Sequence, residues 1–83
     1  MILVRLPSTL RVNDGDTLEV HERVATVAQL IDVLDRRIPG FREQLDDSVF
    51  NFAVNDEMLT YGVDHHPIKD GDVVEIVPAI SGG

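Results

Sequence analysis

One long stretch of this chain has helical periodicity, and it lies between segments that alternate every second residue. From Thr26 onward Val27, Leu30, Ile31, Leu34 and Ile38 recur at helical spacing, with Asp32, Asp35, Arg36 and Arg37 largely on the opposite side. A helix with one such stripe must bury it against something. In a chain of 83 residues, near the lower size at which one core suffices, the flanking strands are the only surface large enough. The helix is well punctuated. Thr26 is a good N-cap, and Gln29 three residues later matches a capping box in which each side chain satisfies an orphan backbone N–H. Arg36 and Arg37 sit at the negative end of the helix dipole, and Pro39-Gly40 stops the helix.

Before the helix, Ile2, Val4 and Leu6 alternate with Leu3 and Arg5, and the alternation can resume at Leu10 and Val12 after Pro7-Ser8. Asn13-Asp14-Gly15-Asp16 supplies hairpin-turn chemistry. A second strand is expected over Thr17–Glu22, with Leu18 and Val20 on one face and Glu19 and His21 on the other. After the helix, Gly40 to Asp47 reads as an irregular link with one helical turn through Arg42, Glu43 and Gln44. A third strand, Val49–Val54, places Phe50, Phe52 and Val54 on one face, and Asn55-Asp56-Glu57 turns the chain. Met58–Tyr61 reads as a short edge strand with Tyr61 packing at the edge, and His65–Asp72 as a loop. The last strand, Val73–Val77, turns Val74 and Ile76 toward the helix and Val73, Glu75 and Val77 outward, and Pro78 ends its ladder. A hairpin, one helix and further strands make an α+β roll.

Composition narrows the function. With no cysteine, neither disulfides nor cysteine-held metal can staple the fold, and a reducing compartment is compatible. Seven basic against fifteen acidic residues give a net charge of −8, which repels phosphate backbones and favours a basic partner surface. Nucleic acid is therefore not an expected partner. The N-terminal segment has no basic region followed by a long apolar run, and no span reaches membrane length, so a cytoplasmic protein that does not engage membranes is expected. Adjacent histidines at His65-His66 lack the spacing and further ligands of a metal site and read as surface loop. His21 reads as an exposed or hydrogen-bonded strand residue, and Asp46-Asp47 and Asp70-Gly71-Asp72 read as turn formers.

The chain closes on Ala79-Ile80-Ser81-Gly82-Gly83. A Gly-Gly end has no Cβ at either residue and can enter a channel too narrow for any side chain. Glycine is also common in frayed ends, so the pair by itself leaves both readings open. The expected organisation is a domain over residues 1–78 and an extended tail over 79–83. Val73, Glu75, Val77 and Pro78 are candidates for a partner surface beside it.

Val54-Asn55-Asp56-Glu57 together with His66–Gly83, most specifically the last eighteen residues, resembles the ubiquitin-like sulfur-carrier family. This family includes the small subunit of molybdopterin synthase and the thiamine-pathway carrier. The resemblance covers the whole chain in element order. It implies a ubiquitin-like β-grasp, a mixed sheet of four to five strands packed on one main helix. It further implies that an E1-like adenylating enzyme uses ATP and magnesium to adenylate Gly83. Sulfur from a persulfide donor then displaces AMP to leave a C-terminal thiocarboxylate. Gly82 would give slim access, and Ser81, Ile80 and Ala79 would lie along the partner's channel. The chain has no Walker-type loop of its own, so the nucleotide belongs to the partner. No residue is then catalytic, and no metal or cofactor is bound. The protein is a co-substrate that also meets a synthase large subunit or another sulfur-accepting enzyme.

The branch is read from small departures. Molybdopterin-type carriers often have two prolines before the final four residues, whereas this chain has Pro78-Ala79. The alanine resembles carriers that deliver sulfur for cysteine or thiosugar synthesis. Overall length and Asp70-Gly71-Asp72 lean toward molybdopterin synthesis, with cysteine, thiosugar, thiamine and tRNA thiolation pathways as alternatives. A covalent protein modifier or a non-covalent adaptor also stays open. Lys69 is the single lysine available for building polymers.

Overall fold

The apolar positions of the period-two segments can leave water together only if the strands share one sheet and the helix covers it. The computed structural model, which describes residues 1–7, 17–47 and 50–78, shows this arrangement. Strands β1 (Ile2–Arg5), β2 (Thr17–Val20), β3 (Phe50–Val54), β4 (Glu57–Met58) and β5 (Val73–Pro78) form one five-stranded sheet in the order β2-β1-β5-β3-β4. β1 and β5 are parallel and the other neighbours antiparallel. The sheet is therefore mixed, and the last strand in sequence lies at its centre. Leu10, Val12 and the Asn13–Asp16 turn lie outside the described residues, as do Val49 and the tail over 79–83.

Helix α1 (Val27–Arg37) covers one face of the sheet. Val27, Leu30, Val33 and Leu34 are buried among Ile2, Val4, Val20, Val74 and Ile76. Periodicity alone named Ile31 and Ile38 and passed over Val33. The helix is in fact rolled so that Val33 enters the core, while Ile31 and Ile38 are half-buried along its flanks. Thr26 caps the helix as expected, its Oγ1 accepting from Gln29 N at 3.3 Å. Gln29 Oε1 accepts from Ala25 N at 2.7 Å rather than from the cap residue itself, so the reciprocal bond is shifted by one residue. At the other end Arg37 reaches back to β2, donating to the Glu19 carbonyl at 2.7 Å and pairing with Glu22 at 3.3 Å.

The link expected between Gly40 and Asp47 is a second helix, α2 (Phe41–Asp47). Gly40 turns the chain at φ 85°. The helix then restarts because Phe41, 1% exposed, enters the core, and Leu45 follows one turn later. Asp35 Oδ1 accepts from Arg42 N at 3.0 Å and fastens the start of α2 to α1. Asp32 pairs with the Arg42 guanidinium and, by hydrogen bond and charge, favours its charged form.

Three sequence expectations need adjustment. The edge strand is only Glu57–Met58, and Tyr61 is 88% exposed rather than packed. The second strand ends at Val20, leaving His21 exposed and hydrogen-bonded to Glu19. Pro78 still lies in β5, opposite Phe50. It can hold that position only at the strand's end, because it has no N–H to donate. The turn between β3 and β4 follows expectation. Asn55 and Asp56 have φ of 52° and 70°, the left-handed pair of a two-residue hairpin.

Leu34→Ala is expected to cost about 2–5 kcal/mol, seen as a lower urea midpoint at an unchanged slope. Asp56→Gly is expected to stabilise the chain by roughly 0.5 kcal/mol, since relief of left-handed strain exceeds the extra entropy glycine loses on folding. Thermal unfolding of the two chains side by side checks the second value.

Candidate functional site

The residues singled out from sequence lie along β5, so the site is built from what holds that strand. Its start is fixed by Asn55 and Asp72. The Asn55 backbone N–H donates to Val73 O at 2.8 Å, and its side-chain oxygen accepts from Val73 N at 3.0 Å. The Asn55 amide in turn donates to Asp72 Oδ1 at 3.0 Å, while Asp72 Oδ2 accepts from Lys69 N at 2.9 Å. Asp72 is 7% exposed. Burial by itself raises its carboxyl. The Asn55 and Lys69 hydrogen bonds, helped by the positive charge of Lys69 and His66, outweigh that and hold it below the ordinary value of 3.8.

The same loop is sewn to the rest of the fold by its backbone. Leu3 N donates to Asp72 O and Gly71 N to Met1 O, while Ile68 N donates to Ala25 O and Val27 N to His66 O. The Met1 amino group pairs with Asp70. Asp70-Gly71-Asp72 thus does more than turn the chain, since it joins β1, the β3–β4 turn and β5.

From this anchor β5 runs to Pro78 with alternating faces. Val74 and Ile76 are buried under α1, at 0% and 2% exposure. Val73, Glu75 and Val77 lie half-buried on the outer face. Register extends that face across the sheet. Leu3 lies beside Val73, Arg5 and Ala53 flank Glu75, Asn51 lies beside Val77, and Met58 follows Ala53. Leu3 and Met58 therefore join the expected surface, and Ala53, on the same side of the sheet, is buried at 6% exposure. Alternation within β1 and β3 carried the signal for Leu3 and Ala53. Pro78 does not share this face, because it continues the Val74–Ile76 side and sits opposite Phe50. Ala79, Ile80, Ser81, Gly82 and Gly83 lie outside the described residues.

His65 lies exposed in a short 3-10 turn, Val63–His65, and His66 is half-buried at its end. Among the described residues no three histidine, aspartate or glutamate side chains cluster so as to hold a metal. No described helix is long and apolar enough to cross a membrane.

The whole chain proves comparable with known proteins. The family model described as the ThiS family matches residues 4–83. The chain belongs to the ThiS family. It is thus one of the ubiquitin-like sulfur carriers, a family of small carriers rather than of enzymes. Its relatives include the sulfur carrier protein CysO of Mycobacterium tuberculosis and that of Mycobacterium bovis. Each is 32% identical over 91 aligned positions, covering 99% of this chain and 98% of the relative. A chain in the crystal structure of the Amycolatopsis orientalis BexX/CysO complex superimposes with a TM-score of 0.82 at 31% identity, with both chains covered completely. A chain from the complex of subunits 1 and 2 of the Helicobacter pylori molybdopterin-converting factor gives a TM-score of 0.68 at 24% identity. It covers 99% of this chain and 97% of its own, a likeness of fold. The β-grasp expected for this ThiS-family chain is the fold it has.

Asn55→Gly keeps the left-handed turn but removes both side-chain bonds to β5. It is expected to lose about 1–3 kcal/mol at neutral pH, because Val73 N and the Asp72 carboxylate each lose a partner. The lowered Asp72 carboxyl contributes stability that is fully present above its ordinary value of 3.8 and is lost as pH falls through its lower folded value. The variant should therefore lose less stability than the natural chain on acidification below about pH 4. Urea titrations of both chains across that range check the sign.

Proposed function

We propose that this ThiS-family chain carries sulfur as a thiocarboxylate on Gly83 and hands it to a partner enzyme that makes a small sulfur-containing metabolite. The observation that carries this reading is the family match through residue 83, together with relatives named as sulfur carriers that align over nearly the full chain. The chemistry suits the residues. A carboxylate is a poor electrophile, so the Gly83 carboxylate first attacks ATP, with magnesium, in the active site of an E1-like adenylating enzyme and releases pyrophosphate. The persulfide's terminal sulfur then attacks the acyl-adenylate and expels AMP, leaving an acyl disulfide whose S–S bond a second thiol reduces; free sulfide in place of the persulfide expels AMP and gives the same product directly. The resulting thiocarboxylate is anionic at neutral pH and nucleophilic through a polarizable sulfur. This chain supplies slenderness at Gly82 and Gly83 and a rigid strand behind them. Part of the affinity comes from the globular surface, since ordering a short tail costs entropy. The outer face around Val73, Glu75 and Val77, widened by Leu3 and Met58, is the surface proposed for it. Pro78 acts instead as the stop at the end of β5. The working compartment is the cytoplasm.

For the destination of the sulfur, the reading favoured is delivery to cysteine or thiosugar synthesis. It is supported by Pro78-Ala79 and by relatives above 30% identity that bear the name CysO. Molybdopterin synthesis is the second reading. Its expected marker, Asp70-Gly71-Asp72, has a structural use in anchoring β5, and the Helicobacter likeness is one of fold. Conjugation to proteins has one lysine available for polymers, Lys69, exposed beside the Asp72 clasp.

Incubating the chain with ATP, magnesium, a sulfide source and a cognate adenylating enzyme is expected to raise its intact mass by the exchange of one oxygen for sulfur. Fragmentation should place the change on Gly83. A chain extended by one alanine after Gly83 should show no change. If the extended chain is thiolated as readily as the natural one, the carrier reading fails.

A further inference from the structure

A groove of about 730 Å³ lies between α1, α2 and β3, on the helical side of the sheet and away from the outer face of β5. Its apolar lining is Ile31, Leu45, Phe50 and Phe52, all half-buried. These residues pack against the core on one side only. They are among the apolar side chains left partly buried around the core: Ile31 flanks the buried stripe of α1, and Leu45 lies one turn beyond Phe41. The rim is acidic. Among the described residues it carries three carboxylates, Asp32, Asp46 and Asp64, against one cation, Arg42; Arg42 pairs with Asp32 and feels the charge of Asp46 as well, while Asp46 and Asp64 are both exposed. A groove of this size lies within the range of ligand pockets, and the surplus of carboxylates over Arg42 sets the charge of what lies beside it.

We propose that this groove is a second docking surface, taking a partner segment that inserts an aromatic or aliphatic side chain flanked by arginine or lysine. Charge complementarity selects the occupant. The rim adds to a chain whose net charge is −8, so a basic segment is drawn in at long range and an acidic one repelled. The chain's own Ala79–Gly83 contains no basic residue and offers the rim nothing. A second copy would bring the same negative charge. The groove and the outer face of β5 lie on opposite sides of the sheet, so one partner can hold the carrier here while another meets the outer face. This inference does not depend on the sulfur-carrier reading.

The test uses the full-length isotope-labelled chain. The probe is an amidated peptide with one phenylalanine and one leucine flanked on each side by two arginines, and the control has glutamates in place of the arginines. The arginine peptide is expected to move the amide resonances of Ile31, Leu45, Phe50 and Phe52, with an affinity that weakens as salt is added. The glutamate peptide should leave them in place. Asp46→Lys with Asp64→Lys, both at exposed positions, should weaken binding about tenfold while leaving the dispersion of the spectrum intact. Four outcomes overturn the proposal. These are no movement at millimolar arginine peptide, equal binding of both peptides, movement confined to Leu3, Val73 and Val77, or groove resonances that shift without peptide. In the last case, a shift caused by Ile80→Asp identifies the chain's own tail as the occupant, and a shift with protein concentration identifies a second copy.

Discussion

The hydrogen-bonded contact between Asn55 and Asp72 decides where the central strand begins, and most of the fold takes its position from that strand. β5 pairs with β1 on one side and β3 on the other, so an error in its register would turn Val74 and Ile76 out of the core and Val73 and Val77 into it. Asn55 prevents such a slip. It sits in the turn of the β3–β4 hairpin yet bonds the first residue of β5 through both backbone and side chain. Asp72 tolerates burial because two donors reach its carboxylate; without them the group would be a liability in a domain of this size.

The order so gained runs the length of β5, whose residues up to Pro78 are paired within the sheet. One face of that strand carries stability and the other remains available, an economical division in a chain with one core. The outer face mixes the apolar Leu3, Val73 and Val77 with the polar Arg5, Asn51 and Glu75. The second helix adds a groove on the other side, separated from the outer face of β5 by the sheet itself.

Much of the architecture was legible in the residues. The change from period two to helical spacing at Thr26, the stop at Pro39-Gly40 and the turn at Asn55-Asp56 are local patterns that nearby atoms enforce, and each lies where it was read. The misreadings have a common cause. Phe41 and Leu45 form a short helix because Phe41 finds space in a core built by distant strands, information a seven-residue window does not hold. Val33 enters the core, and Ile31 leaves it for the groove, because α1 rolls to fit the sheet. Tyr61 is exposed because β4 ends before reaching it.

The sequence by itself determined the main helix, the principal strands and the sides they turn toward it, the acidic character of the surface and the membership of the chain in a family of sulfur carriers. These depend on side-chain type and spacing along the chain. Only the tertiary structure decided that β5 is central, that Asp72 is a buried clasp rather than a turn residue, that Leu3 and Ala53 adjoin Val73 and Glu75, and that Pro78 belongs to the opposite face. Each depends on which strands become neighbours, and strand pairing is a long-range choice, fixed by burying all the apolar faces together under one helix.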